Sequence, residues 1–162
     1  MKKKHSIYII LENVRSLYNV GAIFRTSDGA GVEKIFLCGI TGFPPRPEIA
    51  KTALGAEDMV SWEHREEASD VIEELRSEGV EIVGVELAPD AENYWDVSYD
   101  GPVCFVFGHE VEGVSEEILG LCDRKVFVPM YGKKESLNVE AAFSTVVYEA
   151  VRKFNNSAHG ED

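Results

Sequence analysis

The sequence predicts an α/β protein: a mostly parallel β-sheet flanked by helices. Two observations carry this. Short apolar runs recur at 7–11, 34–38, 82–87, 103–107 and 125–128, the pattern of strands buried on both faces. Between most of them lie stretches of helical periodicity, and strands that alternate with helices form a parallel sheet through crossover connections.

Residues 7–11 form the first strand, which stops at Glu12. Asn19-Val-Gly-Ala-Ile-Phe-Arg-Thr26 follows as a loop feeding a helix. The second strand, 34–38, is succeeded by Gly42-Phe-Pro-Pro-Arg-Pro47, a loop on its proline content. Ala68, Val71, Ile72 and Leu75 share one face of a helix that ends near Gly79. Strand 82–87 comes next. Strand 103–107 runs into Gly108-His-Glu-Val-Glu-Gly-Val-Ser115, and strand 125–128 into Pro129-Met-Tyr-Gly-Lys-Lys-Glu-Ser-Leu-Asn138. Val139, Ala142, Phe143, Val146, Val147, Ala150, Val151 and Phe154 then form a continuous apolar stripe at helical spacing, with Asn138 placed as its N-cap. Residues 155–162 are polar and read as a flexible tail, which leaves 1–154 as a single domain.

The chain's 162 residues are enough for one domain with a real core. An apolar content of 44% and a charged content of 28% are those of a globular protein. Met1-Lys-Lys-Lys-His5 has the charge of a signal-peptide start, but the apolar run behind it is shorter than the roughly 7–15 residues such a segment needs. No run reaches the roughly 20 apolar residues of a membrane span, so no membrane partner and a cytoplasmic location are expected. Cys38, Cys104 and Cys122 are widely spaced, and the first two sit in apolar runs, as reduced buried thiols do. His5, His64, His109 and His159 have no metal-ligand spacing, and no metal is expected.

A net charge of −13 opposes nucleic-acid binding, yet residues 57–92 alone hold 13 acids and two bases, a net of −11. The remainder is nearly neutral. Arg15, Arg25, Arg46, Lys51, Lys133 and Lys134 lie outside that segment, and binding responds to local rather than net potential.

Three loops share one construction: an apolar strand, then glycine and small polar residues, then helix. In open α/β sheets such loops gather at the carboxyl ends of the strands, where ligands bind, and helix N-termini offer unpaired N–H groups to anions. Asn19-x-Gly21-x-x-x-Arg25, Gly108-x-Glu110-x-x-Gly113 and Pro129-Met-x-Gly132-x-x-x-Ser136-Leu-Asn138-Val resemble, in order, the three motifs of the SpoU (TrmH-type) RNA ribose 2′-O-methyltransferases of the SPOUT superfamily. Lys51-Thr-Ala-Leu-Gly-Ala-Glu57 and Trp62 also resemble that family. The resemblance runs from about Ile7 to Val151. It implies a C-terminal trefoil knot, which periodicity does not reveal and which topology rules treat as an exception.

The resemblance further implies S-adenosylmethionine (AdoMet) as methyl donor, tRNA or rRNA as substrate, and a homodimer. By motif position Gly108, Val128 and Leu137 contact the donor, with Leu87 at the end of the preceding strand a further contact. Arg25 is the expected catalytic residue. The family view makes it a base on the 2′-OH, whereas a guanidinium with a pKa above about 12 is better suited to clamp phosphate and stabilise an alkoxide. Asn19 would hold Arg25 or a phosphate, or simply cap a helix. Ser136 and Asn138 would donate to phosphate or ribose, or cap locally. Glu110 would brace its loop or meet Arg25 across a dimer interface. The unusually apolar last helix, which carries Tyr148 and Phe154, would serve either an interface or the core. Glu140 stands where the family often has a small polar residue, and His109 and Glu112 make the second motif bulkier and more acidic, which bears on substrate choice.

Two other readings remain. A non-catalytic RNA-binding or ribosome-associated module on the same fold suits the acidic balance and the absence of an added RNA domain, from which an accessory RNA-binding partner would follow. A phosphate-binding nucleotide enzyme finds neither Gly-x-x-x-x-Gly-Lys-Ser/Thr nor Gly-x-Gly-x-x-Gly.

Overall fold

The structure is a computed structural model that describes residues 5–160. The sequence readings on residues 1–4, on 161–162 and on the His159 side chain fall outside what it describes. Strands β1 (Ile7–Glu12), β2 (Lys34–Cys38), β3 (Trp62–Arg65), β4 (Glu81–Val85), β5 (Glu92–Asn93), β6 (Val103–Phe107) and β7 (Arg124–Phe127) form one sheet. Its order is β3-β2-β1-β6-β4-β7-β5, and these pairings are all parallel. Helices α1 (Leu17–Ala30), α2 (Pro47–Ala53), α3 (Ala68–Ser77), α4 (Glu116–Leu121) and α5 (Val139–Gly160) connect and flank it.

Strand β1 explains why the apolar runs show no polar alternation. Successive side chains point to opposite faces of a strand, and here both faces are covered. Ile7, Ile9 and Leu11 pack with Ile23 and Phe24 of α1 and Phe143, Val146 and Val147 of α5. Tyr8 and Ile10 pack instead with Val71, Ile72 and Leu75 of α3 and Ile118 of α4. The four apolar positions predicted for α3 are all buried, as is most of the stripe predicted for α5.

The two edge strands escaped the sequence reading. In β3, Trp62-Glu-His-Arg65 is only half-buried, so it shows no apolar run, and β5 is two residues long. Strand β4 ends at Val85, so Leu87 lies beyond the strand in the following loop. Helix α5 continues to Gly160, into the stretch read from composition as a tail. Phe154 is core rather than interface: it is 6% exposed and its ring stacks on His5 at 4.5 Å.

The chain lays β1, β2 and β3 outward in succession, then crosses to the other side for β4 and β5. Strand β6 then enters between β1 and β4, and β7 between β4 and β5. These late insertions bring the carboxyl ends of β6, β4 and β7 side by side.

Candidate active site

At those three strand ends lies a cavity of about 690 Å³, within the roughly 300–1,000 Å³ usual for small-molecule sites. Val85 and Leu87 line it from β4 and its loop, Phe107 and Gly108 from β6 and its loop, Val128 from just beyond β7, Leu137 from the loop before α5, and Ala142 from the first turn of α5. All four residues expected to contact the donor are thus together: Leu87, Gly108, Val128 and Leu137. Ser136 and Glu110 line the same space. Leu87 is 67% exposed and Leu137 38%, so the cavity carries uncovered apolar side chains at its walls.

The loop after β6 owes its shape to carboxylates. His109 and Gly113 pair backbone to backbone, with N–H···O distances of 3.1 and 2.8 Å. The His109 Nδ1 accepts the N–H groups of Val111 and Glu112 at 3.1 Å each, which closes the turn. Glu86, just beyond β4, accepts the Val114 N–H at 2.8 Å. Glu12, at the end of β1, accepts the Ser115 N–H at 2.8 Å and the Ser115 hydroxyl at 2.7 Å. Gly108 is required by close approach: a Cβ there would overlap the backbone of Gly113 and Val114.

Glu110 reaches out of this loop to the start of α1, where it accepts the N–H groups of Arg15 and Ser16 at 2.9 and 2.8 Å. Burial acts to raise its pKa, but those two bonds, its own backbone N–H and the Asn19 side chain together hold it below the usual carboxylate range. Within the single chain Glu110 thus ties its loop to the start of α1. Asn19 is not the N-cap of α1. Ser16 is, its hydroxyl accepting the Asn19 N–H at 3.2 Å, which leaves the Asn19 amide for Glu110.

The loop after β7 is exposed from Tyr131 to Asn138. Asn138 caps α5 as expected, its Oδ1 accepting the Glu140 N–H at 2.9 Å. Ser136 is a cavity-lining residue with no hydrogen bond to another described residue.

Arg25 is elsewhere. It lines a second cavity of about 610 Å³ between α1, α2 and α5, with Lys51, Glu140 and Tyr148 among its neighbours and no residue in common with the first. Its guanidinium forms no ion pair with a described residue. Glu140 ties α5 to α1 by accepting the Thr26 hydroxyl at 2.9 Å, and it also accepts that of Ser144 at 2.8 Å. In the first motif, Gly21 serves packing: a Cβ there would overlap Thr52 and the Ile49 carbonyl of α2.

Charge is sorted in the same way. Arg65, Arg124 and Lys125 are each paired with an acid from the 57–92 segment, and Arg76 is paired with Asp123. Arg15, Arg25, Arg46, Lys51, Lys133 and Lys134 form no such pair among the described residues, although Lys51 sits 6.0 Å from the Tyr18 ring centroid. Burial pushes the Cys38 thiol up to about 12, and Cys104 is raised well above the ordinary thiol range for the same reason. All three cysteines are free. Among the described residues, no group of three or more His, Cys, Asp or Glu could hold a metal ion, and no helix is long and apolar enough to cross a membrane.

With this geometry in place, likeness to known proteins decides the family. The sequence pattern of the SpoU rRNA Methylase family matches residues 6–148. The chain belongs to that family. It is 32% identical over 152 residues to the tRNA (guanosine(18)-2′-O)-methyltransferase of Aquifex aeolicus, across 94% of this chain and 72% of the relative. To the Escherichia coli protein of the same name it is 28% identical, across 96% of this chain and 67% of that one. Its fold matches that of an AdoMet-bound rRNA methyltransferase from Sinorhizobium meliloti with a TM-score of 0.87 at 28% identity, across 93% of this chain and 57% of that one. The chain therefore spans little more than half the length of some of its relatives, and about two thirds to three quarters of others.

In this SpoU chain the motif residues divide into two groups. The second and third motifs build the cavity. The first motif supplies a brace, Asn19, and a cation, Arg25, that faces another hollow. The sequence reading gave no role to Glu12, Glu86 or Ser16. Glu12 and Glu86 each end an apolar run with a lone acid, a signal that only strand adjacency makes meaningful.

Proposed function

We propose that this SpoU chain is an AdoMet-dependent RNA methyltransferase acting on a ribose 2′-OH of tRNA or rRNA, as a cytoplasmic homodimer whose catalytic domain spans residues 1–154. The observation that carries this is the cavity at the β6, β4 and β7 ends, formed by both motif loops that the family resemblance assigns to the donor. Its apolar walls suit a purine, and its exposed backbone loops suit the polar edges of one. Bound there, AdoMet supplies an electrophilic methyl group with its own sulfonium leaving group. The late insertion of β6 and β7 supports reading the C-terminal passage as the trefoil knot. Free, buried thiols fit a reducing compartment.

Within one chain, Arg25 does not reach the donor cavity, which supports a site completed by the Arg25 of a second copy. A guanidinium holds its proton at neutral pH, so Arg25 acts as a fixed cation that clamps an RNA phosphate and stabilises the oxygen as its proton leaves. Ser136 and the Asn138 Nδ2, which donates to no described residue, position phosphate or ribose. The cations without ion pairs give RNA a local landing surface, and the overall negative charge makes an accessory RNA-binding partner useful.

The second reading, a non-catalytic RNA-binding module, is favoured by the separation of Arg25 from the cavity. Calorimetry with AdoMet on wild type and Leu137→Arg tests donor binding, and transfer of labelled methyl to unmodified tRNA and rRNA tests turnover. Saturable binding lost in the variant, followed by ribose labelling, supports the enzyme. A folded wild type that binds no AdoMet overturns it.

A further inference from the structure

The turn that follows β5 lies on the same carboxyl-end rim as the donor cavity, because β5 runs parallel to β7 at the sheet's edge. In that turn Trp95 is 50% exposed, and it stacks on Tyr131 of the third motif loop with centroids 6.4 Å apart and planes 18° from parallel. Tyr131 is 83% exposed. Its neighbours Met130 and Gly132 line the donor cavity while Tyr131 does not, so its ring stands outside the mouth. The backbone of the turn that carries Trp95 is anchored: the Lys153 ammonium of α5 donates to the carbonyls of Tyr94, Trp95 and Val97. Two residues after Tyr131 come Lys133 and Lys134, both exposed and unpaired with any described acid.

We infer that Trp95 and Tyr131 form a stacking platform for an unpaired base of the RNA substrate, with Lys133 and Lys134 meeting the adjoining phosphates. This rests on the RNA methyltransferase reading above. A solvent-facing aromatic pair beside free cations is the combination by which proteins hold single-stranded RNA, since every base offers a π-face and every linkage a negative charge. Charge favours RNA over a protein partner here: in the loop 128–138 two lysines face one acid, Glu135, within a chain whose total charge is −13. The aromatic pair does not line the donor cavity whereas Lys133 and Lys134 do, so the platform holds RNA at the cavity mouth, where it selects the RNA presented to the reaction and takes no part in methyl transfer. A substrate held this way must offer a splayed-out base, as a tRNA loop or an rRNA bulge does.

The chain has only two tryptophans, Trp62 and Trp95, which makes a direct test available. The emission of Trp95 is taken as the difference between wild type and Trp95→Phe, while unmodified in vitro tRNA transcripts are titrated in with AdoMet present. Quenching that saturates with tRNA, is absent with AdoMet alone, and shifts to about ten-fold higher RNA concentration in Tyr131→Ala is the expected result. Filter binding and methyl transfer are measured on the same samples. RNA that binds and is methylated with Trp95 silent and Tyr131→Ala unchanged overturns the platform and leaves the enzyme reading standing. Quenching without methyl transfer supports the platform and overturns the enzyme reading. An absence of RNA binding overturns both, and a changed oligomeric state in Tyr131→Ala with unchanged RNA affinity makes this surface a protein interface instead.

Discussion

The carboxylate of Glu110 accepts the backbone N–H of Ser16 at 2.8 Å, so a residue of the second motif holds the helix start of the first across 94 positions of sequence. With the Arg15 N–H on its other oxygen, Glu110 satisfies two donors ahead of α1 and couples the donor loop to the helix that carries Arg25. Its role is therefore one of position, and its effects should read out as such.

Glu110→Ala should lower stability by about 1–2 kcal/mol, the scale of a lost helix cap, and weaken AdoMet binding through a looser loop. Its depressed pKa also gives a pH signature. The stabilisation is present above the unfolded-chain value of about 4.3 and is lost as pH falls below it toward the lower folded value. Thermal melts of wild type and Glu110→Gln at neutral pH and in acid should converge as the pH drops. Parallel curves across that window would remove the linkage.

Arg25→Ala should cut kcat about 10²–10³-fold, the usual loss for a group that stabilises developing charge. AdoMet affinity should be unchanged, because Arg25 lines the second cavity and not the first. Arg25→Lys should rescue only part of the rate, since an ammonium lacks the bidentate fork. Donor binding that falls together with the rate would contradict the division of the two cavities.

Leu137→Arg should abolish AdoMet binding while leaving the melting temperature near that of wild type. Leu137 is 38% exposed and sits in a loop, so little packing is lost. Calorimetry and a melt on the same preparation separate the two effects.

Gly108→Ala should be more damaging than its size suggests. The added methyl would lie inside the Gly113–Val114 backbone, and relief by shifting the loop should cost about 1–3 kcal/mol. Denaturant unfolding measures that loss, and AdoMet binding should disappear with it. A variant as stable as wild type would mean that the loop has room the structure does not show.

Lys51→Ala should leave donor binding intact and reduce the dependence of log K for RNA on log salt by about one unit, the mark of a single lost phosphate contact. Arg65→Ala, whose guanidinium is held by Glu74 at 2.7 Å, should leave that slope alone.

The central strands and the buried faces of α3 and α5 were legible because burial on both sides of a strand, or along one side of a helix, leaves its period in the sequence. Strands β3 and β5 were not, since an edge strand with a half-buried face, such as Trp62-Glu-His-Arg65, has no apolar run to read. The donor loops were found from glycine spacing together with family likeness, and Leu87, Gly108, Val128 and Leu137 do share one cavity. The local sequence did not reveal Ser16 as the cap in place of Asn19, because either side chain can accept an N–H. Nor could it reveal that Arg25 faces away from that cavity, or that Glu12 and Glu86 brace the loop after β6. Those facts depend on which strands become neighbours.

The placing of β6 and β7 has a consequence for how the protein comes into being. Every wall of the donor cavity except the end of β4 is contributed by residues from Phe107 onward. A ribosome-bound chain that has emerged only as far as β5 owns no binding site, since β4 and β5 wait for β6 and β7 to pair with them, and one that seats β7 wrongly owns none either. Because AdoMet would bind only the finished arrangement, mass action would draw the population toward it by a margin set by donor concentration. The methyl donor is in that sense an inspector of assembly: the last part of the chain to find its place is the part that decides whether the molecule is competent at all.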